Sequence, residues 1–319
     1  MVEPVTGPAT ELGRVAARRP WLGVGSLALL ATLWLAWGLA YPVMGFAMAT
    51  VDPLTLRTAV MLFAGALLLA YVGATAKRLL VPRALWRDLA ISSFCNMTVC
   101  QMGMTLGVYY IGAGRSSVLI YTMPLWAALF ARLLLGDPIT LRRGLALVLG
   151  ALSVAALFAQ HLPQVRNAPL GVLANLVAAM GFGFGTVWTK RSAWPLDLTA
   201  MAGWQLLLGA APLALVWLVV QPPVDLARLD AAHWAAVAYM SLVGNLVAYL
   251  VWFRLVHLLP TTVVGIGSLV VPCVGVLSST LLVDEAIRPT DLLALALVCS
   301  ALVLVLFERR VAVPHHRNI

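Results

Sequence analysis

A chain of 319 residues that is 62% hydrophobic and only 10% charged carries too much apolar side-chain surface for a soluble domain, since soluble domains average roughly 45–50% apolar and about 25% charged residues. The composition excludes a water-soluble enzyme or binding module and indicates a polytopic membrane protein, most of whose surroundings are lipid. The formal net charge of +9 does not indicate nucleic-acid binding, because the positions of Lys and Arg along the chain account for it.

Ten apolar runs lie between charged or proline-rich breaks, and each is long enough to cross a bilayer as a helix. The predicted spans are 22–45, 54–76, 85–108, 115–135, 140–160, 169–190, 198–220, 231–256, 261–283 and 289–308. The first run follows several arginines, as in a signal peptide. It is longer than a typical signal sequence and further spans follow, so we expect an uncleaved first helix. The predicted fold is an all-α membrane protein with ten transmembrane helices.

Lys and Arg are unevenly divided between the two sides of the membrane that ten spans define. Sixteen of the 21 fall on the side of the amino terminus, and five fall on the opposite side. The positive-inside rule assigns the more basic side to the cytoplasm. We therefore expect both termini to be cytoplasmic, with tails at 1–21 and 309–319.

The chain also repeats itself at an offset of 148 residues. Segment 120–144 aligns with segment 268–292, so that Pro124 matches Pro272 and an acidic residue follows at the same distance in both copies. Helices rich in Leu and Ala align easily by chance, but coincident prolines and acids favour a real repeat. The repeat predicts two halves of similar structure.

Each half then contains five spans, in residues 22–160 and 169–308. Because five is an odd number, the second half enters the membrane from the opposite face, and the repeats are inverted. Inverted repeats are typical of alternating-access transporters, which bind their cargo near the midplane between the halves. The sequence therefore predicts a transporter with a 5+5 inverted-repeat arrangement.

Several motifs resemble those of a known family. They are LWLAWGLAYPV (33–43), DPLTLRTAV (52–60), and the paired segments 112–137 and 260–285, each with a small-residue start, a central proline and an acidic end. These motifs resemble the drug/metabolite transporter superfamily, specifically its EamA-type ten-helix exporters and, among them, the aromatic amino-acid exporters. Two positions depart from the family pattern, since Asp137 replaces the usual Glu and Met201 stands where the second copy could carry Arg.

This resemblance implies an exporter of metabolites or amino acids in a bacterial inner membrane. It also implies a central cavity lined mainly by the first, third, fourth, sixth, eighth and ninth helices.

The charged residues are all predicted near span ends, in loops or in tails, and Arg57, Arg115, Arg132 and Arg254 follow this pattern. An acidic side chain in mid-membrane would indicate a proton relay or a counter-ion for a cationic cargo, and a phosphate-bearing cargo would require a basic cluster. We therefore expect a neutral or zwitterionic cargo. The four cysteines lie in apolar runs, so we expect free buried thiols, and we expect neither a metal nor a cofactor.

Polar and aromatic residues within the spans are the candidate substrate-binding residues. They are Trp37, Tyr41, Asn96, Gln101, Tyr121, Trp188, Asn245, Tyr249 and Trp252. Asn96 and Asn245, at an offset of 149, begin corresponding helical faces, one of small and one of aromatic residues. Intramembrane amides also join helices without a ligand, and Trp and Tyr also anchor helices at the membrane surface, so both interpretations stay open.

Glycine and proline add two structural expectations. Gly103 and Gly107 form a small-xxx-small pair that favours close helix packing. Pro124 and Pro272 lie in mid-span, where a missing backbone hydrogen bond bends a helix, and both are predicted hinges.

The predicted function is secondary transport that exports small neutral or zwitterionic metabolites, best matched by amino acids and especially aromatic ones. The alternatives are an exporter of another small metabolite or drug-like compound, such as a purine or a cation, and a lipid-modifying membrane enzyme. The sequence contains no H-E-x-x-H motif or paired intramembrane carboxylates, so we expect no enzyme activity. The expected partners are the small-molecule substrate and membrane lipid, without nucleic acid, and the chain is expected to be a monomer or a homodimer.

Overall fold

The computed structural model describes residues 23–75, 79–159, 168–192, 194–220, 229–283 and 289–306, in which all regular secondary structure is helical. The tails predicted at 1–21 and 309–319 lie outside the described residues. In chain order the first helices are α1 (Val24–Gly38 and Ala40–Ala47), α2 (Pro53–Ala74), α3 (Trp86–Ser93, Phe94–Val99 and Cys100–Ile111), α4 (Ala113–Ile120 and Met123–Leu135) and α5 (Leu141–Ala159). They are followed by α6 (Pro169–Arg191), α7 (Leu198–Val220), α8 (Ala231–Tyr239, Met240–Val247 and Ala248–Leu258), α9 (Thr261–Ser268 and Val270–Val283) and α10 (Pro289–Leu306).

Five helices, α1, α2, α6, α7 and α8, are long and apolar enough to cross a membrane, with lengths of 22 to 28 residues. Shorter apolar helices occur at Met123–Leu135 and Val263–Gly275. Large apolar side chains are exposed on outer faces, Leu133 by 67% and Val219 by 85%, and a continuous surface of this kind is unfavourable in water. The protein is therefore a multi-pass membrane protein whose outer surface contacts lipid.

The four cysteines are free thiols that differ in how deeply they are buried. Cys100 and Cys273 are buried, Cys95 is half-buried and Cys299 is exposed on α10. The expectation of buried thiols is therefore wrong for Cys299, whose small apolar side chain is as well suited to lipid as to a protein core.

Aspartate residues define the starts of α2 and α8. Asp52 accepts a hydrogen bond from the backbone N–H of Thr55 at 2.9 Å, and Pro53 occupies the first helical position, where its missing N–H removes no helical bond. Asp230 accepts from the backbone N–H of His233 at 2.9 Å. This bond and the one to the His233 ring hold the pKa of the Asp230 carboxyl below its usual value.

Helices of the two halves pack in matched pairs. Each of α2, α4 and α5 packs against its counterpart in the second half, α7, α9 and α10. The contact of α3 with α6 is matched by that of α8 with α1, and the contact of α4 with α6 is matched by that of α9 with α1. Each packed pair therefore has an equivalent pair whose helices lie five positions further along the chain. This is the contact pattern of two similar halves that face each other.

Close packing between α3 and α6 depends on glycine. A Cβ atom on Gly103 would lie 2.6 Å from the carbonyl oxygen of Ala174 on α6, and a Cβ on Gly107 would overlap the amide of Asn175. A methyl group at either position would force the helix backbones apart. The two glycines thus have the packing role predicted for them.

Three helices are interrupted two or three residues before a proline. α1 breaks at Leu39 ahead of Pro42, α4 breaks at residues 121–122 ahead of Pro124, and α9 breaks at Leu269 ahead of Pro272. A proline inside a helix leaves the carbonyl four residues earlier without its backbone partner, and the ring clashes with that carbonyl. The breaks in α4 and α9 occupy corresponding positions of the two halves.

Two further irregularities also correspond between the halves. Phe94–Val99 in α3 and Met240–Val247 in α8 are π-helical, so their backbone hydrogen bonds span five residues instead of four. Such segments are rare and occur frequently at functional sites. Each contains one of the two predicted asparagines, Asn96 or Asn245.

Candidate substrate cavity

A cavity lies where the two halves meet, between α1, α2, α3 and α4 of the first half and α6 and α8 of the second. Its polar lining consists of Tyr41, Arg57, Gln101, Tyr121, Asn245 and Tyr249. Trp37, Met44 and Phe182 supply much of its apolar wall. The cavity volume is about 40 Å³, enough for a few water molecules, so a larger cargo enters only when the surrounding side chains move. We call this space the central cavity.

Six of the nine predicted substrate-binding residues line the central cavity. They are Trp37, Tyr41, Gln101, Tyr121, Asn245 and Tyr249. These residues come from four helices and are far apart in sequence, so the fold brings together side chains that the spacing of a single helix could not relate. The cavity lining thus combines aromatic rings with amide groups.

The other three predicted residues, Asn96, Trp188 and Trp252, lie outside the lining. Asn96 is fully buried and donates from Nδ2 to Gln205 Oε1 on α7 at 3.2 Å. The indole N–H of Trp188 donates to Asp88 Oδ1 at 3.2 Å near the ends of α6 and α3. The structure therefore places Asn96 in a contact between helices, one of the two alternatives that the sequence left open.

Trp252 is buried directly behind the cavity wall. Its ring centroid lies 5.3 Å from that of Trp37 and 4.8 Å from that of Phe182, and both of these residues line the cavity. Its indole N–H has no hydrogen-bond partner among the described residues. Trp252 thus supports the wall without contributing to its inner surface.

An amide network joins the two halves across the cavity. Gln101 Nε2 on α3 donates to Asn245 Oδ1 and to the Tyr249 hydroxyl on α8, each at 2.9 Å. Asn245 Nδ2 donates to the carbonyl oxygen of Met240 at 2.7 Å, five residues earlier in the π-helical segment of α8. The network therefore connects a helix of the first half to a helix of the second.

The same bonds fix the orientation of both amides. A backbone carbonyl can only accept, so the group of Asn245 that faces Met240 is the NH₂ group. Its oxygen therefore faces Gln101, which must present its own NH₂ group there. Gln101 Oε1 is left as a buried acceptor that no described residue satisfies.

Arg57 is the residue that the sequence interpretation missed. It lies in the second turn of α2, is 1% exposed and lines the cavity. Its Nε donates to Thr105 Oγ1 at 2.7 Å, and its Nη2 donates to Met44 Sδ at 2.8 Å. Arg57 does lie near the end of its span, as expected, but its side chain points inward and reaches the cavity.

No acidic side chain within the described ranges pairs with Arg57. The sequence signal that indicates its position is helical periodicity, since Arg57 lies on the same face of α2 as Met61, Ala64 and Leu68, which are all buried. A residue at spacings of four, seven and eleven from core residues belongs to the core face, whatever its charge. The described lining of the cavity therefore contains a guanidinium group that pairs with no described carboxylate.

The cavity lining also differs from the set of helices that the resemblance implied. α2 contributes Arg57, whereas no described residue of α9 lines the cavity. The break in α9 instead lies against α1, where the indole N–H of Trp34 donates to the carbonyl oxygen of Gly267 at 2.8 Å. The two proline breaks thus have different surroundings, since Tyr121 at the break in α4 does line the cavity.

A second, larger hollow lies where α6 and α8 end and α7 begins. Its volume is about 790 Å³, and its lining includes Lys190, Asp197, Arg254 and His257. These helix ends lie on the side of the amino terminus if the spans alternate as predicted. We call this hollow the vestibule.

Packed aromatic rings lie between the central cavity and the vestibule. The aromatic layer consists of Trp37, Phe182, Tyr249, Trp252 and Phe253, whose neighbouring ring centroids are 4.8 to 6.0 Å apart. Its first three members line the cavity, and Phe253 lines the vestibule.

The chain is similar over most of its length to three bacterial proteins, two of which are named as transporters. It is 25% identical to the uncharacterized transporter YoaV of Bacillus subtilis over 289 residues, which cover 88% of this chain and 94% of YoaV. It is 24% identical to the uncharacterized inner membrane transporter YedA of Escherichia coli over 277 residues, covering 86% of this chain and 89% of YedA. Protein PecM of Dickeya dadantii is 27% identical over 232 residues, covering 71% of this chain and 76% of PecM.

The fold is also that of a solved protein. A crystal structure superposes with a TM-score of 0.71 at 19% sequence identity and covers 88% of this chain and 97% of the other. The EamA-like transporter family matches the chain twice, at residues 24–159 and 169–307. These matches confirm the resemblance to the drug/metabolite transporter superfamily, and the chain belongs to the EamA-like transporter family.

Proposed function

We propose that this membrane transporter exports small zwitterionic metabolites, namely amino acids and in particular aromatic ones. The observation that carries the proposal is the central cavity, where Trp37, Tyr41, Tyr121 and Tyr249 surround the amide network of Gln101 and Asn245. Aromatic rings offer faces to an apolar or aromatic side chain, and the amides and the guanidinium group offer hydrogen bonds to a polar backbone group.

The proposed architecture is ten transmembrane helices in two inverted repeats. The repeats are residues 22–160 and 169–308, and the two family matches fall within these ranges. The matched packing of helices five positions apart supports two equivalent halves. We place the protein in a bacterial inner membrane with both termini in the cytoplasm, on the basis of its Lys and Arg distribution and its similarity to YedA.

Transport proceeds by alternating access, in which one half rocks against the other about the central cavity. Export begins in the vestibule, on the cytoplasmic side of the proposed topology. The cargo then passes the aromatic layer into the cavity and leaves on the opposite side. Pro124 and Pro272 act as hinges, because each follows a break at which the helix axis can change direction without rupturing further backbone bonds.

Other cargo classes fit the cavity less well. A cationic drug or polyamine would need an acidic counter-ion, and the described lining contains Arg57 and no acid. A purine would leave the guanidinium group without an anion. The family and the relatives are transporters rather than enzymes, so a lipid-modifying activity is not proposed, and the partners proposed are the cargo and membrane lipid, with the chain acting as a monomer or a homodimer.

Counterflow into proteoliposomes tests the proposal. Vesicles loaded with an unlabelled compound are mixed with the labelled form, using a panel of amino acids, purines and organic cations, with and without a pH gradient. We expect aromatic amino acids to exchange fastest, and exchange to be independent of the pH gradient, because no acid lines the described cavity. Exchange of purines or cations without exchange of any amino acid would overturn the proposed function.

A further inference from the structure

We propose that Arg57 and Gln101 form a two-point site for the charged groups of an α-amino acid. Arg57 binds the carboxylate, and Gln101 Oε1 accepts a hydrogen bond from the ammonium group. The inference rests on the proposed function and names the chemistry by which the central cavity recognises its cargo.

The first observation is the unused hydrogen-bonding capacity of Arg57. A guanidinium group carries five N–H donors, and the bonds to Thr105 Oγ1 and Met44 Sδ occupy two of them. A thioether sulfur is a weak acceptor, and the Nη1 group has no acceptor among the described residues. A buried cation in a membrane protein without a paired anion is unfavourable and usually marks an ion or substrate pathway. A carboxylate is the planar, two-oxygen partner that a guanidinium group matches best.

The second observation is the unpaired oxygen of Gln101. The side chain is 3% exposed and lines the same cavity as Arg57. Its NH₂ group is held by Asn245 and Tyr249, so that Oε1 cannot exchange places with it. A buried acceptor without a donor is unfavourable, and a ligand N–H group relieves it.

Thr105 joins the guanidinium group of Arg57 to the backbone of Gln101. Its hydroxyl accepts from Arg57 Nε at 2.7 Å and donates to the backbone carbonyl of Gln101 at 2.7 Å, one helical turn earlier on α3. Arg57 is therefore anchored to α3 at the residue whose side-chain amide lines the same cavity. An anion site beside an acceptor matches a ligand whose carboxylate and ammonium groups are attached to the same carbon atom.

Simpler ligands satisfy only part of this arrangement. A monocarboxylate leaves Gln101 Oε1 without a donor, and a primary amine leaves Arg57 without an anion. A phosphate ester carries more charge than the single guanidinium group of the described lining can balance. The rings of Tyr41 and Tyr121, which line the same space, are then left to contact the amino-acid side chain.

Direct binding to the purified full-length protein tests the site without requiring transport. The probes are phenylalanine, its amide, which lacks the carboxylate, 3-phenylpropionate, which lacks the ammonium group, and phenethylamine, which is the decarboxylated amine. We expect the wild-type protein to bind phenylalanine at least about tenfold more tightly than each of the other three, because each leaves a buried polar group unpaired. This comparison involves no variant and is independent of any folding defect.

Two variants assign each group of the ligand to its partner. Arg57→Gln is expected to weaken the binding of phenylalanine and phenylpropionate about tenfold or more and to leave phenethylamine unchanged, with partial recovery in Arg57→Lys. Gln101→Leu is expected to weaken phenylalanine and phenethylamine and to leave phenylpropionate unchanged. The matched control is Gln205→Leu, which removes a buried glutamine outside the cavity that bonds Asn96 and Thr189, and the relative affinities of its four probes should equal those of the wild type.

Three results would contradict the proposal in distinguishable ways. Equal affinities of the wild-type protein for phenylalanine and its three analogues would exclude two-point recognition while leaving amino-acid transport intact. An equal loss for all four probes in Arg57→Gln, in a folded protein, would make Arg57 a structural residue that joins α2 to α3. A wild-type protein that binds none of the 20 standard amino acids would overturn the proposed function together with this site.

Discussion

At the scale of single residues, Tyr249 has two roles in the central cavity. Its ring belongs to the aromatic layer, and its hydroxyl accepts a hydrogen bond from Gln101 Nε2 on the opposite half. The phenol is therefore one of the few polar contacts that connect α3 and α8 across the cavity. Removing only its oxygen atom separates this contact from the packing of the ring.

Tyr249→Phe is expected to lower the free energy of unfolding by about 1 kcal/mol, since it removes a buried hydrogen bond at nearly constant volume. The measurement is the unfolding transition of the purified protein in one detergent. Tyr110→Phe is the matched control, because its ring is half-exposed and its hydroxyl makes no hydrogen bond with a described residue, and its transition should equal that of the wild type. If Tyr249→Phe unfolded at the same point as Tyr110→Phe and the wild type, the role assigned to the Tyr249 hydroxyl would be contradicted.

The sequence predicts five of the six polar residues of the cavity lining, but not which of Asn96 and Gln101 faces the cavity. Asn96 and Gln101 are about 140° apart on an ideal helix, and only contacts with other helices decide which of the two faces the cavity. The deciding contact is with Gln205, which lies more than 100 residues away in sequence and accepts a hydrogen bond from Asn96. Position along α2 alone places Arg57 near a helix end, and its direction becomes apparent only when the buried neighbours on its face are considered.

At the scale of helices, the prolines of α4 and α9 coincide with breaks, and a third proline provides a contrast. Pro212 lies inside α7, which continues from Leu198 to Val220 without interruption. A proline can therefore be accommodated in this fold without dividing a helix. The breaks at Tyr121 and Leu269 are local features of α4 and α9 rather than an unavoidable result of composition.

Pro124→Ala and Pro272→Ala are expected to slow steady-state transport several-fold while leaving the unfolding transition nearly unchanged, because alanine restores a backbone N–H and stiffens the hinge. The measurement is the initial rate of counterflow per folded molecule. Pro212→Ala should transport at the wild-type rate. Wild-type rates in well-folded Pro124→Ala and Pro272→Ala variants would exclude the hinge role.

The sequence predicts where helices begin and end better than it predicts irregular backbone within them. Apolar length and charged loops define where helices begin and end, since lipid leaves few other solutions for a backbone. The π-helical segments of α3 and α8 were not predicted, because no residue pattern distinguishes them from α-helix. Both segments contain side-chain bonds to backbone carbonyls: in α8 Asn245 Nδ2 donates to the carbonyl of Met240 within the segment itself, and in α3 Thr98 Oγ1 donates to the carbonyl of Gly209 on α7 at 2.6 Å.

At the scale of the whole molecule, the proposed topology assigns each loop to one side of the membrane. The turn after α1 contains the exposed residue Ala49 and lies on the side opposite the amino terminus. Arg83, which is also exposed, precedes α3 on the side of the amino terminus. These two positions therefore report on opposite compartments.

With the four native cysteines replaced, Ala49→Cys is expected to react with a membrane-impermeant maleimide in intact cells. Arg83→Cys should react only after the membrane is permeabilised, since its loop belongs to the basic, cytoplasmic side. The measurement is the labelled fraction of each variant before and after permeabilisation. The reverse pattern would invert the proposed direction of every helix.

The aromatic layer has a consequence for the energy supply of a cell that contains this carrier. Protons cross proteins along files of water molecules, and the apolar faces of rings packed at centroid distances of 4.8 to 6.0 Å offer such a file few hydrogen-bond partners between the vestibule and the central cavity. One closed barrier is sufficient to interrupt conduction. We therefore expect the idle carrier to conduct protons poorly in this conformation and to remain in the membrane without dissipating the proton-motive force.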